Sequence, residues 1–226
     1  MRRLGRCTWA ILHKDLLMEW RSKERLNPMV VFVLLVLLIF NFSFELGGAA
    51  LHEIGPGVLW SAFVFASLLG LNRTFAAETI NDCLDGLLLA PGDRAALYVG
   101  KMLGNLVFLL VTQLASLPFF ALFFNLSLGA YLAPLLAVLL LGSMGLAAVG
   151  TLFAAIASNM RLQELLLPLL FLPMVIAPLI FCVEATALVL KGSPFEKIYP
   201  YLQLLGAYDL VFITLAFILF EYVVEE

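Results

Sequence analysis

Charge is what this sequence has least of: from Met102 to Met160 there is no Asp, Glu, Lys or Arg. A soluble domain has no use for so long a neutral run rich in Leu, Phe, Val and Ala. A bilayer requires one, because a charge at its centre costs at least ~2.5–3.5 kcal/mol on insertion scales. A spanning helix takes about 20 residues, so the run reads as two spans and the turn between them. Over the whole chain of 226 residues only 13% are charged and 63% are hydrophobic, and the mean hydropathy is +1.06. An ordinary soluble domain has about 25% charged residues. The length leaves room for one helical bundle and no folded soluble domain beside it.

Other absences narrow the function. Cys7, Cys83 and Cys182 are too few and too scattered for a disulfide framework, and no C-x-x-C or C-x-x-C-H occurs. No G-x-x-x-x-G-K-[ST], H-E-x-x-H or G-x-S-x-G is present, which excludes a P-loop of the chain's own and leaves an enzyme reading almost without support. His13 and His52 are the only histidines, and a lone His52 beside Glu53 is a weak axial-ligand signal. No cofactor is expected to bind firmly, no metal site is expected, and the net charge of -3 calls for no nucleic-acid partner. No internal repeat stands out. The basic N-terminus runs on to Arg25, and the apolar stretch after it is too long for the h-region of a cleaved signal peptide.

What is present is apolar and helical. Val30–Phe40 is apolar almost without interruption, whereas a membrane barrel strand would alternate. Six spans are expected, at about 28–46, 56–76, 103–124, 130–157, 164–190 and 201–222. Pro168, Pro173 and Pro178 recur in the fifth and predict a kinked or partly re-entrant segment. Residues 1–27 precede the spans, 28–222 make up the six-span bundle, and 223–226 form a tail. Eleven basic residues fall on the side of the N-terminus and of the 77–102 loop, against Lys191 and Lys197 on the other. The positive-inside rule then places both termini and that loop in the cytoplasm.

Three features invite a function. The N-terminal stretch is amphipathic, with Trp9, Leu12, Leu16 and Trp20 along one stripe and His13, Lys14, Arg21 and Lys23 elsewhere. Such a helix lies in the inner headgroup layer, as a plain anchor or as an interface that also meets a cytoplasmic partner. In the 77–102 loop, Leu84 and Leu87, Leu88 and Leu89 are rimmed by Glu78, Asp82, Asp85, Asp93 and Arg94, with Pro91-Gly92 as a hard stop. These leucines either pack under the bundle or form a docking patch. Ionisable residues at or within the spans include Arg73, Glu164 and Asp209. Arg73 and Glu164 lie near the cytoplasmic edge, within reach of Glu78 and Arg161. Asp209 lies roughly 12 Å deep at 1.5 Å per residue and needs an internal partner or a polar cavity. Gly142, Gly145, Ala148 and Thr151 form a small-residue stripe for close helix approach, within one bundle or between copies.

Several strings resemble a known family. KDLLMEWRSKERLNPM (Lys14–Met29), PGVLWSAFVFASLLGLNRTFAAE (Pro56–Glu78) and GLLLAPGDRAALYVGK (Gly86–Lys101) are similar to blocks of the haem exporter protein B family, CcmB, the B subunits of bacterial cytochrome c maturation ABC transporters. GLAAVGTLFAA (Gly145–Ala155), ELLLPLLFLP (Glu164–Pro173), AYDLVF (Ala207–Phe212) and FEYVVEE (Phe220–Glu226) continue the likeness in order. The resemblance implies an all-α, six-span, ABC-2-like permease in the bacterial inner membrane, working with a separate ATPase, CcmA, as two copies of each. It further implies association with the haem-handling subunits CcmC and CcmD and, indirectly, with the haem chaperone CcmE. ATP would act through the partner, and haem would be the cargo or sit on the chaperone that the complex releases. The 77–102 loop would be the segment that couples to the ATPase. A scaffold that assembles the haem-handling subunits without transport is the alternative.

The orientation is checked with single cysteines in a cysteine-free background. Asp93→Cys should be protected from an impermeant thiol reagent in intact spheroplasts and Ser193→Cys should react; the reverse pattern would invert the topology.

Overall fold

The computed structural model describes residues 2–43, 49–75, 94–124, 132–158, 160 and 162–223. They form seven helices: α1 Arg2–Ser22, α2 Leu26–Ser43, α3 Ala49–Leu71, α4 Arg94–Phe123, α5 Leu132–Ser158, α6 Gln163–Leu190 and α7 Phe195–Val223. Among the described residues, α2 to α7 each contain a stretch long and apolar enough to cross a membrane. This is a multi-pass, all-helical membrane protein, as the composition requires.

Burial follows helix periodicity. In α2 the inward side chains are Met29, Val33, Leu37 and Asn41, one per turn, while Val31, Leu35, Ile39 and Phe42 point outward. Outward apolar residues of this kind are what hydrocarbon demands. The central helix is α5, which touches α3, α4, α6 and α7. Its small-residue stripe explains that position. Gly142 lies against Trp60 and Cys182, and Gly145 against Tyr208 and Asp209. The carbonyl of Ala148 accepts a hydrogen bond from the Tyr98 hydroxyl (3.1 Å). The stripe therefore serves packing inside the bundle, where small residues let backbones approach.

Two expectations need correction. The prolines of α6 do not make it re-entrant: Gln163–Leu190 is one uninterrupted helix containing Pro168, Pro173 and Pro178. Hydrocarbon offers no water to a broken backbone, so the helix persists where a neighbour supplies the missing donor. Pro178 cannot donate to the carbonyl of Met174 one turn back, and the Tyr208 hydroxyl of α7 donates to it instead (3.0 Å). The second correction concerns α4, which begins at Arg94 rather than near 103. Its 30 residues reach roughly 45 Å at 1.5 Å per residue, beyond a hydrocarbon core of ~30 Å. The residues from Arg94 to Met102, expected in the 77–102 loop, are the first turns of this helix.

α3 is tied to α6 by Trp60, whose Nε1–H donates to Thr186 Oγ1 (2.8 Å) and whose ring meets Phe63 edge-on. Any side chain at Gly142 would be driven into that indole and the Cys182 sulfur. Gly142→Val should lower the thermal midpoint of the purified protein in detergent, an overpacking cost of about 1–3 kcal/mol. Gly57→Ala, with open space around the added carbon, should leave the midpoint nearly unchanged; equal effects would contradict this packing.

Candidate functional site

α1 has three faces rather than two. Thr8, Leu12, Asp15 and Glu19, four positions on one stripe, are buried against α4. The expected stripe of Trp9, Leu12, Leu16 and Trp20 lies about a quarter-turn away at 100° per residue. Leu12 turns inward, Leu16 is half-buried, and Trp9 and Trp20 are exposed. Arg21 and Lys23 are exposed. Lys23 takes a left-handed conformation (φ 54°) and donates its backbone N–H to the carbonyl of Glu19 (2.8 Å), which ends α1 in the manner of an αL cap.

The buried face of α1 carries two carboxylates, and each has a defined task. Glu19 Oε1 accepts the backbone N–H groups of Arg25 (2.9 Å) and Leu26 (2.8 Å), so it caps the N-terminus of α2 from the preceding helix. Asp15 faces α4, where Lys101 Nζ stands 3.1 Å from its Oδ2. Lys101 is 1% exposed. Its ammonium also donates to the carbonyl of Thr74 (2.9 Å) and lies 5.5 Å from the centre of the Phe75 ring, within cation–π range.

The network continues inward. The Thr74 hydroxyl donates to Asn105 Oδ1 (3.1 Å), Asn105 Nδ2 donates to Thr151 Oγ1 (2.9 Å), and the Thr151 hydroxyl donates to Ala147 O (2.7 Å). On the other flank, the Arg25 guanidinium donates to the carbonyls of Arg73 (2.6 Å) and Thr74 (3.3 Å) and stacks over Phe108. A continuous polar knot thus joins α1, the turn into α2, the turn after α3, and helices α4 and α5. Its hydrogen-bonded members in the interior, Asp15, Thr74, Lys101, Asn105 and Thr151, are all buried.

The residues proposed from sequence are distributed unevenly around this knot. Glu78, Asp82, Asp85, Leu87, Leu88, Leu89, Pro91 and Asp93 lie outside the described residues, and Arg94 is the first residue of α4. Arg73 sits in the turn after α3, exposed, with Nη1 3.1 Å from Glu24 Oε2. Glu164 is exposed in the first turn of α6. Of these three ionisable candidates only Asp209 is buried, at 5% exposure. Asp15, Glu19 and Asn105 had no role in the sequence reading, where Lys101 counted only as a cytoplasmic charge and Thr151 only as a small packing residue. A usable signal existed: Asp15 and Glu19, at i and i+4, are acids on one face of an otherwise basic segment.

A chain of six spans with an N-terminal helix packed on α4, and with a buried polar network at that junction, defines an integral membrane protein of the permease type. The family model described as CcmB protein matches residues 6–225. A heme exporter protein B of Rhodobacter capsulatus is 34% identical over 184 residues, covering 81% of this chain and 83% of the relative. One of Paracoccus denitrificans is 34% identical over 176 residues, 78% and 80% of the two chains. One of Pseudomonas aeruginosa is 32% identical over 175 residues, 77% of each. The chain belongs to the CcmB family.

The pairing of Lys101 with Asp15 is tested by removing one partner and then both. Lys101→Met or Asp15→Leu alone strands a buried group and should destabilise by about 3–5 kcal/mol, whereas an apolar replacement of a whole buried pair is close to neutral. The double variant Asp15→Leu/Lys101→Met should therefore melt above either single variant in detergent. A double variant that loses the sum of the two single losses would show that the residues are not coupled.

Proposed function

We propose that this chain is the permease subunit of an ABC-type complex for c-type cytochrome biogenesis, coupling ATP hydrolysis by a separate ATPase to haem export or to release of a haem-loaded chaperone. Its membership of the CcmB family and the name of its relatives, heme exporter protein B, support the haem assignment. In this reading the complex sits in the bacterial inner membrane with both termini cytoplasmic. Two copies of the chain meet two copies of the CcmA ATPase, CcmC and CcmD handle haem, and CcmE receives it. ATP binds to the partner, and haem is cargo rather than a resident cofactor. Trp9 and Trp20 rest in the headgroup layer, where amphipathic rings are favoured.

One observation carries the coupling. Residues 76–93 run between Thr74–Phe75 and Arg94, and both flanks are tied into the polar knot through Thr74 and Lys101. Displacement of that segment by an ATPase would be carried directly to α1 by Asp15 and to the central α5 by Asn105 and Thr151. An exposed flexible tether would absorb the same displacement; buried charge-assisted bonds transmit it.

The leucines at 87–89 supply the apolar patch, and an ATPase groove is their cover in the helix-in-groove manner. Asp82, Asp85, Asp93 and Arg94 then set register at the rim. Leu88→Asp should leave membrane insertion unchanged, since the position lies outside every span, yet place an unpaired charge in a dry contact at a cost of several kcal/mol. The variant should lose the ATPase on purification and fail in cytochrome c maturation. Retention of the ATPase together with normal maturation would remove this segment as the coupling element.

A further inference from the structure

Asp209 belongs to the stripe of α7 that faces the bundle, in company with Ile198, Leu205, Ala216 and Phe220, all buried. Both of its carboxylate oxygens are without a hydrogen-bond partner among the described residues. The side chain rests on the backbone of α5 at Gly145, where an added Cβ would stand 2.7 Å from Oδ1. α5 has no ionisable residue along its length, and the Lys101 ammonium is engaged with Asp15 and Thr74. A carboxylate held permanently in such a seat gives up its hydration and receives nothing in exchange, the least favourable arrangement a polar group can have in a membrane protein.

The contacts on either side of α5 differ in kind. Toward α4 it is fastened by three hydrogen bonds: Tyr98 to Ala148, Ser143 to Gln113 and Asn105 to Thr151. Toward α7 it presents Gly145, which offers no side chain to interlock. Among the described residues, α7 is held to α6 on its other flank by the hydrogen bond from Tyr208 to Met174, and its outer face, including Leu210, Val211, Phe217 and Ile218, is bare. Separation of α7 from α5 uncovers packed apolar side chains such as Leu205 and Ala216 but breaks no hydrogen bond between the two helices among the described residues, and it would give Asp209 the solvation that it lacks.

We propose that the seat between α5 and α7 is the contact that opens in the permease's working cycle, and that water is the hydrogen-bond partner of Asp209 in the open form. The inference rests on the reading of the chain as an ATP-driven permease and names the element that moves. A smooth glycine contact allows two discrete arrangements at small steric cost, which is what a shear between packed helices requires.

The test uses the complex co-purified with its ATPase, carrying Asp209→Cys or Ala216→Cys in a background without Cys7, Cys83 and Cys182. A charged methanethiosulfonate, which needs water to reach a thiol, is applied without nucleotide and after trapping with ATP and vanadate. Both positions should react several-fold faster in one condition than in the other, while Ser193→Cys reacts alike in both. Inertness of both positions in both conditions, in a complex that retains its ATPase, would overturn the proposal. Fast reaction in both conditions would overturn it equally, by making the seat a permanently wet cavity. If Asp209→Cys fails to accumulate, Ala216→Cys on the same stripe carries the test. Failure of the unmodified chain to retain an ATPase would count against the coupling reading and not against the seat.

Discussion

A lysine ammonium that is closed off from water must find its acceptors inside the protein, and the acceptors of Lys101 come from two other parts of the chain. Asp15 arrives on α1 and the Thr74 carbonyl arrives on the turn after α3. Neither could be left out: a buried charge without a partner costs far more than the hydrogen bonds that satisfy it return. This requirement draws the N-terminal helix onto the bundle. It also sets the position of the α3 and α4 ends between which residues 76–93 run. The placement of α1, the closure of the turn into α2 and the mechanical link to α5 all depend on it.

The same constraint acts wherever the apolar surroundings remove water. The Met174 carbonyl, deprived of its helical donor by Pro178, is satisfied from α7 by Tyr208. The Trp60 indole finds Thr186 on α6. Asn41 on α2 donates to the Phe123 carbonyl at the far end of α4. Each bond joins two different helices, because hydrophobic attraction between helices is absent in lipid and specific packing and hydrogen bonds take its place. The helices meet most closely along α5, where glycine and alanine leave no side chain in the way. Among the described residues Asp209 is the one ionisable side chain that departs from this rule, with both carboxylate oxygens unsatisfied, and it lies against Gly145 of α5.

Much of the fold was legible without coordinates. The run from Met102 to Met160 had to be two spans, and α4 and α5 occupy it. Arg94 and Lys101 moved the expected start of α4 to about 103, because charges are assigned to loops, whereas the helix begins at Arg94. The basis of that error is physical: a charge is excluded from a span only while it is unpaired, and the pairing of Lys101 was invisible. The three prolines of α6 were legible as broken donors but not as an intact helix; at Pro178 the replacement donor, Tyr208, comes from another helix. On α1 the tryptophan stripe was visible. The bundle-facing stripe was not, since half of it is acidic and hydrophobic periodicity is blind to a polar contact face.

The sequence by itself determined that the chain spans a membrane six times as helices, and its motifs determined the family to which it belongs. Those properties follow from local quantities: transfer energies summed over about 20 residues and strings of residues read in order. The tertiary structure decided which polar groups meet. Lys101 and Asp15 are separated by 86 positions, Trp60 and Thr186 by 126, and no local property of either partner specifies the other. Only the packing of the helices brings them within hydrogen-bond distance, and only that packing leaves Asp209 against a glycine with no hydrogen-bond partner among the described residues.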